Sequence, residues 1–125
     1  MKKLLTILSL SFTLFAGAQT FYISPTGNDA ANGSAATPWK TLAKATVTVT
    51  AGIIHVMPGT YTETAKSSLS VGVSIEGDNA NTTIIKSSIS GQWSNLLQLE
   101  SPQNTAGNNN ISGITFDGQY VSETN

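Results

Sequence analysis

After residue 52 the sequence is a succession of short apolar segments, most of them followed by a polar turn. Each segment has the length of a β-strand and is rich in Val, Ile or Leu, and Gly, Pro, Ser, Asp and Asn are common between them. After residue 45 no stretch shows the helical period of about 3.6 residues. The sequence therefore predicts an all-β body with strands at 53–57, 70–76, 83–86, 96–100 and 111–116.

The spacing of the segments predicts how the strands are arranged. One apolar residue near the end of each of four segments recurs along the chain, with uneven steps: Val56, Ile75, Leu99 and Phe116. A recurrence of roughly 20 residues is typical of a solenoid, in which each coil of short strands stacks on the coil before it. No Asn-Gly or Asp-Gly turn joins two matched segments, as hairpins of a sandwich or barrel would require. We therefore expect a parallel β-helix.

The stretch before this body predicts a cap for the first coil. The end coil of a solenoid has an open edge and an exposed apolar end that must be covered. Thr37 is a favourable N-cap residue, and Pro38 suits the first position of a helix. Trp39, Leu42 and Ala45 would then share one apolar face. We expect a short helix that begins after Thr37 and plugs the solenoid; an unrelated surface helix is the alternative.

The segment 1–18 has the pattern of a secretory signal peptide. Lys2 and Lys3 precede an apolar run at 4–15, and Ala-Gly-Ala at 16–18 supplies a cleavage site. The apolar run is shorter than the roughly 20 residues of a membrane span. We expect cleavage before Gln19 and a mature chain that is secreted or at the cell surface, with no membrane span. The expected organisation is a signal peptide (1–18), an N-terminal strand, loop and cap helix (19–52), and the first coils of the β-helix (53–125).

The composition restricts the possible chemistry and partners. The chain has no cysteine, so the fold must rest on burial and backbone pairing even in an oxidising compartment. Charged residues are 10% of the chain, the formal net charge is −1, and there is no Arg. Nucleic acid is therefore not an expected partner, because its binding needs a basic patch. The lack of Arg also removes the side chain that grips carboxylates and phosphates with two parallel hydrogen bonds.

Several motifs resemble those of a known family. FYISPTGNDAANG at 21–33 is followed by PWKT at 38–41 and by AGIIHVMPGTYTE at 51–63. This succession resembles the start of secreted right-handed parallel β-helix proteins of the pectate-lyase-like superfamily. VSIEGDNANTTIIKSS at 73–88 and NNISGITFDG at 109–118 resemble the strand-and-turn units that follow it. The resemblance covers nearly all of the chain after the signal peptide.

The resemblance implies that the partner is an extracellular polysaccharide, but it leaves the activity open. This N-terminal region is shared by lyases, hydrolases, epimerases and surface proteins without known chemistry. The parent protein could thus be a polysaccharide lyase or glycoside hydrolase, or a non-enzymatic adhesin-like solenoid. Relatives carry many more coils and their chemistry lies downstream, so we expect this chain to be a truncated, N-terminal piece that caps and nucleates the solenoid. Alone it is expected to be inactive, and no catalytic residue is assigned.

Three acidic residues directly follow the last apolar position of a segment: Glu76, Glu100 and Asp117. If the three segments belonged to one sheet, alternation would turn the carboxylates outward in a column with a spacing of about 4.8 Å. Two bare charges at this distance repel by roughly 0.9 kcal/mol even in water, which Ca²⁺ or a cationic substrate could relieve. The column is a candidate site for carbohydrate or metal. The alternative is that the uneven steps stagger the carboxylates and leave them solvated.

Four single residues are further candidates, each with a simpler alternative. Trp93 lies in a polar turn, where it could stack on a sugar ring or fold over the solenoid. Lys86 could serve as the base of a β-elimination, although nothing around it in the sequence suggests the burial that this role needs. His55 should point outward from its strand, and no neighbouring acid in the sequence offers it a partner. Asp29 could help to hold Ca²⁺, although an Asx-turn explains an Asp in this loop without a metal.

Overall fold

A computed structural model describes residues 17–89 and 95–118, so that the predicted signal peptide lies almost wholly outside the described residues. Within them the chain forms nine strands and one short helix, which agrees with the predicted all-β body. No described helix has the length and apolar character needed to cross a membrane. The elements are β1 (Thr20–Ile23), α1 (Leu42–Thr48), β2 (Gly52–Val56), β3 (Gly59–Glu63), β4 (Ser67–Leu69), β5 (Val73–Gly77), β6 (Thr83–Ser87), β7 (Leu97–Leu99), β8 (Ile111–Ser112) and β9 (Thr115–Asp117).

The strands form three sheets in which every described pair is parallel. Sheet A has the order β1-β2-β5-β8, sheet B the order β3-β6-β9, and sheet C pairs β4 with β7. From β2 onward, consecutive strands lie on sheets A, B and C in turn, and the chain then returns to sheet A. Gly52 at the start of β2 thereby meets its register partner Val73 at the start of β5, one coil later. The predicted parallel pairing of successive coils is thus confirmed for the described strands.

Alternation along each strand separates the core from the surface. In β2, Ile54 and Val56 are fully buried, whereas His55 between them is not. Because strands pair in register, Ile54 of one coil lies beside Ile75 of the next. This stacking gives one continuous apolar interior between the three sheets. Its members are Ile23, Trp39, Leu42, Ala45, Val49, Ile54, Val56, Tyr61, Leu69, Val73, Ile75 and Ile85.

The helix begins about one turn later than the sequence predicted. Its N-cap is Thr41, whose side chain accepts a hydrogen bond from a backbone N–H of the first turn, so the predicted start after Thr37 is wrong. Trp39 is extended instead: its N–H donates to the carbonyl O of Tyr22, and its carbonyl O accepts from the N–H of Ser24. This pairing adds Trp39 to the free edge of β1. The backbone before Thr41 is therefore held out of a helical conformation.

The burial predicted for the plug is nevertheless confirmed. Trp39, Leu42 and Ala45 are 3%, 0% and 0% exposed, and α1 packs on β1 and β4, which are edge strands of sheets A and C. The rings of Trp39 and Phe21 stack with centroids 5.5 Å apart, and the Trp39 indole N–H donates to the carbonyl O of Ala31. The cap is an extended Trp followed by a helix, both covering the same end of the core.

The four apolar residues whose spacing predicted the coil do not share one sheet. Val56 and Ile75 lie in β2 and β5 of sheet A, whereas Leu99 belongs to sheet C and Phe116 to sheet B. The steps to Leu99 and to Phe116 therefore do not measure whole coils. β3 and β4 are rich in Thr, Ser and Gly and lack long apolar runs. The apolar pattern of the sequence therefore does not predict two of the three strands in the first full coil.

The predicted segment 111–116 forms two strands on different sheets, β8 and β9. Gly113 stands between them with φ +67°, in the left-handed region that favours glycine. A Cβ at this position would collide with the backbone of Gly77 in the neighbouring coil. Glycine is thus needed here both for the bend between two sheets and for the close approach of two coils.

Candidate functional site

The outer face of sheet A carries a continuous line of side chains from four strands. We call it the sheet A row: register partners in β1, β2, β5 and β8, namely Tyr22, His55, Glu76 and Ser112. Because adjacent residues on these strands are directed into the core, alternation directs the row to the surface. Neighbouring members come from strands spaced about 4.8 Å apart. The row therefore forms a straight line across the coils.

His55 lies at the centre of this row and has two neighbours that contact it. Its Nε2 lies 3.1 Å from Oδ1 of Asp78, in the turn after β5, and the side chains are 27% and 48% exposed. The Tyr22 ring lies against the imidazole at a tilt of 54°, with centroids 5.3 Å apart. Glu76 is its register partner on the other side. The row and the adjoining Asp78 thus group an aromatic ring, an imidazole and two carboxylates.

The expectation that His55 would point outward agrees with this arrangement, but the expectation that it would have no acidic partner is wrong. Asp78 directly follows Gly77, which is the register partner of Val56. A residue in the turn after β5 therefore comes to lie beside the end of β2, one coil away in sequence. The register of β2 with β5 places Asp78 beside the end of β2. The spacing of the apolar residues in the sequence did not predict this register.

The predicted carboxylate column is not formed. Glu76 lies on sheet A, Asp117 lies on sheet B, and Glu100 follows the last strand of sheet C. The three segments face different sides of the coil, so their carboxylates cannot stack. Among the described residues no group of three His, Asp or Glu side chains is arranged to hold a metal ion. The individual assignments of Glu76, Glu100 and Asp117 as carbohydrate or metal ligands stay predictions.

The other single candidates have different outcomes. Trp93 falls outside the described residues, so its assignment to carbohydrate binding stays a prediction. Lys86 faces outward on sheet B with its Nζ 3.5 Å from Oδ2 of Asp117, which is its register partner. Asp29 accepts hydrogen bonds from the backbone N–H of Lys40 and of Thr41 and from the Thr41 hydroxyl. Asp29 thus holds the start of the helix.

Glu63 is a buried carboxylate that sequence reasoning did not select. It is 1% exposed and accepts hydrogen bonds from the backbone N–H groups of Leu42 at 2.8 Å and Ala43 at 3.3 Å. These N–H groups have no acceptor within the helix, so Glu63 satisfies them from a distant strand. Burial raises its pKa above the usual carboxyl value, against the opposing effect of the two hydrogen bonds. Both Glu63 and Asp29 therefore serve the cap.

The sheet A row differs from these structural sites because its polar groups face solvent. The Tyr22 ring offers a flat apolar surface, and the carboxylates of Glu76 and Asp78 can accept hydrogen bonds. Such a line is suited to an extended ligand that presents alternating apolar faces and hydroxyl groups. We regard the row as the candidate binding site.

Short strands in all-parallel sheets, with one short helix covering an end of the core, place the described chain in the class of all-β proteins with parallel sheets. Within that class a family model described as "Protein of unknown function (DUF1565)" matches residues 25–124, and the chain belongs to this family. Neither a curated protein nor a solved structure matches it. The family match covers α1 and the strands from β2 onward, whereas β1 and its Tyr22 precede it.

Proposed function

We propose that this chain is the N-terminal part of an exported right-handed parallel β-helix protein that binds extracellular polysaccharide. In this role α1 and Trp39 close the first coil, and the coils that follow provide the binding face. The all-parallel sheets and membership in a family associated with β-helices support the architecture. The motifs that resemble the pectate-lyase-like superfamily support the export and the class of ligand.

One observation carries the proposed ligand: the sheet A row is continuous and in register over four strands. A polymer with a regular repeat can contact such a line at several points at once. Tyr22 would stack on a sugar ring, while Glu76 and Asp78 would accept hydrogen bonds from hydroxyl groups. Several weak contacts along one chain add up to a useful affinity, because each later contact is intramolecular.

The geometry favours binding over bond cleavage. The carboxylate of Asp78 is paired with His55, and that of Asp117 is paired with Lys86 on another sheet. A glycosidase needs two carboxyl groups that flank one bond, one of them able to donate a proton. Within the described coils, Glu76 and Asp78 are the two carboxylates grouped on sheet A, and the contact of Asp78 with His55 leaves Glu76 without a free carboxyl partner there. This observation favours the alternative of a non-enzymatic, adhesin-like surface protein over a lyase or hydrolase.

Binding can be tested with the secreted chain on a panel of neutral and acidic polysaccharides, by affinity electrophoresis and calorimetry. Tyr22→Leu keeps an apolar side chain but removes the ring, and we expect it to weaken binding by about tenfold, the effect of losing one stacked aromatic contact. Lys86→Met, on the outer face of sheet B, is the matched control and should bind as the wild type does. Equal affinity of Tyr22→Leu and wild type would place the ligand elsewhere.

Export can be tested separately by expressing the full gene and sequencing the N-terminus of the protein recovered from the medium or the cell surface. We expect the mature chain to begin at Gln19. Replacing the apolar Leu4 and Leu5 with Asp should retain the protein inside the cell. Recovery of an uncleaved chain in the cytoplasm from the unaltered gene would contradict the proposal.

A further inference from the structure

A trough lies between helix α1 and the outer face of sheet C, on a different sheet from the sheet A row. Its main part has a volume of about 450 Å³, and an adjoining part of about 430 Å³ shares Ser70 and Glu100 with it. These volumes lie within the range of small-molecule sites, about 300–1,000 Å³. We call the two parts the sheet C trough. Its lining includes Val47, Lys66, Ser68, Ser70, Val71 and Glu100.

The polar groups of the sheet C trough have unused hydrogen-bonding capacity. Lys66 Nζ donates to Oε1 of Gln98 at 2.9 Å, which leaves two of its three N–H donors. Within residues 17–89 and 95–118, the side chains of Ser68, Ser70 and Glu100 make no hydrogen bond, and neither Lys66 nor Glu100 forms an ion pair. Hydrogen-bond donors and acceptors thus line one concave surface and remain free to bind a ligand.

Apolar groups stand beside these polar ones. Val47, on α1, is 79% exposed, although it belongs to a helix whose opposite side is buried. Val71 lines the adjoining part of the trough and is partly exposed. A ligand that fits here must present both hydrogen-bonding groups and C–H surface. A sugar ring has this combination, with hydroxyl groups around its edge and C–H groups on its faces.

The charges and the strand edges narrow the class of ligand. Lys66 and Glu100 carry opposite charges, so a polyanion is disfavoured by Glu100 and a polycation by Lys66. An extended peptide would add to a free strand edge, but β4, the strand that lines the trough, offers none, because it pairs with β7 on one side and packs against α1 on the other. The remaining class is an uncharged, hydroxyl-rich molecule.

We propose that the sheet C trough binds a neutral oligosaccharide, in which Lys66 donates to and Glu100 accepts from sugar hydroxyls while the ring lies against Val47. This site goes beyond the polysaccharide contact on sheet A and uses none of its residues. It would give the protein a second point of contact with a glycan, and on a different side of the coil. A short oligosaccharide is enough to occupy it.

The test is a nuclear magnetic resonance titration of the secreted chain with neutral hexasaccharides of glucose, xylose and mannose and with a galacturonate hexasaccharide. We expect at least one neutral sugar to cause saturable shifts in the backbone signals of Ser68, Ser70 and Glu100. Glu100→Ala and Lys66→Met should each raise Kd by roughly tenfold, because the first removes the proposed acceptor and the second the proposed donor of a hydrogen bond to the ligand. Both residues are at the surface, and melting curves will show that the variants are folded.

Tyr22→Leu separates this proposal from the one for sheet A, because it should leave binding at the trough unchanged. Lys86→Met is the control for altering a surface charge elsewhere. The proposal is overturned if no neutral hexasaccharide shifts the trough signals, if the galacturonate binds there more tightly, or if Glu100→Ala and Lys66→Met retain the wild-type Kd. If Tyr22→Leu bound polysaccharide as tightly as the wild type while the trough still bound the neutral hexasaccharide, only the first proposal would be overturned.

Discussion

Glu63 combines charge with nearly complete burial, and its position explains why a carboxylate is kept in the core. The two N–H groups that it binds belong to the first turn of α1, so the carboxylate joins β3 to the cap. Burial, more than the nearby charge of Asp29, raises its pKa above the ordinary value of 4.5. The folded chain therefore holds a proton on Glu63 more tightly than the unfolded chain does.

This difference predicts how stability depends on pH. In the window above 4.5 and below the raised pKa, folding takes up a proton, so the contribution of Glu63 to the free energy of unfolding falls as pH rises. Its slope is bounded by one proton, about 1.4 kcal/mol per pH unit. Glu63→Gln cannot ionise and should remove this part of the slope, as denaturant unfolding from pH 4.5 upward can measure.

Glu100→Gln is the control for this experiment, because it makes the same change of Glu to Gln at an exposed position. The account of Glu63 fails if Glu63→Gln and wild type lose stability in parallel as pH rises across the window. It also fails if the wild type gains stability relative to Glu63→Gln over the same range.

At the scale of an element, the cap is held together by contacts between segments that are separate in sequence. Trp39 pairs with β1 through its backbone, stacks on Phe21 and donates its indole N–H to Ala31. Gly33 has φ +75°, and a Cβ there would lie 2.7 Å from the Trp39 ring. The loop between β1 and α1 is therefore shaped around this side chain, and α1 is too short to be stable without such packing.

Removal of the Trp39 side chain should destabilise the cap strongly. Trp39→Ala should lower the free energy of unfolding by about 3–5 kcal/mol, because it removes a well-buried aromatic side chain and leaves a cavity. Trp39→Phe keeps a ring against Phe21 but leaves the Ala31 carbonyl O without its donor, and should cost less. Chemical denaturation measures both variants. A wild-type midpoint for Trp39→Ala would show that the segment does not support the fold.

At the scale of the whole molecule, the chain is a stack in which each sheet presents its own outer face. The candidate residues of sheet A, the Lys86–Asp117 pair of sheet B and the trough of sheet C face different directions because consecutive strands belong to different sheets. Glu76, Glu100 and Asp117, each of which follows an apolar segment in the sequence, therefore lie on different sides of the coil. Glu76 and Asp78 alone are grouped on one face among the described acidic residues discussed above, and Asp78 is held there by His55.

We expect the isolated chain to cleave no polysaccharide. The reason is that the carboxylates predicted to form a column belong to segments of three different sheets, and two outward carboxylates are each held by a neighbour, Asp78 by the His55 imidazole and Asp117 by Lys86. The test is incubation of the purified chain with acidic and neutral polysaccharides, with and without Ca²⁺. New reducing ends, or absorbance from unsaturated uronate, in proportion to the added chain would contradict this prediction. Glu76→Ala and Glu100→Ala would then show whether these residues are responsible.

Local features of this protein could be predicted from the sequence because they depend on neighbours along the chain. The alternation of Ile54, His55 and Val56 predicted which side chains enter the core, and their burial in β2 agrees. The lack of hairpin turns predicted parallel pairing. The burial of Trp39 and Leu42 followed from the need to cover an apolar end. Each of these rests on side-chain periodicity or on local turn chemistry.

The tertiary structure alone decided which sheet each strand joins and which distant residues meet. The contacts of His55 with Asp78 and of Glu63 with Leu42 join residues that are far apart in the sequence. They depend on the number of residues in each turn and on polar strands such as β3, which have no strong apolar pattern. Periodicity fixes the face on which a side chain lies, but the length of a coil is fixed by backbone pairing between coils, which no single segment encodes.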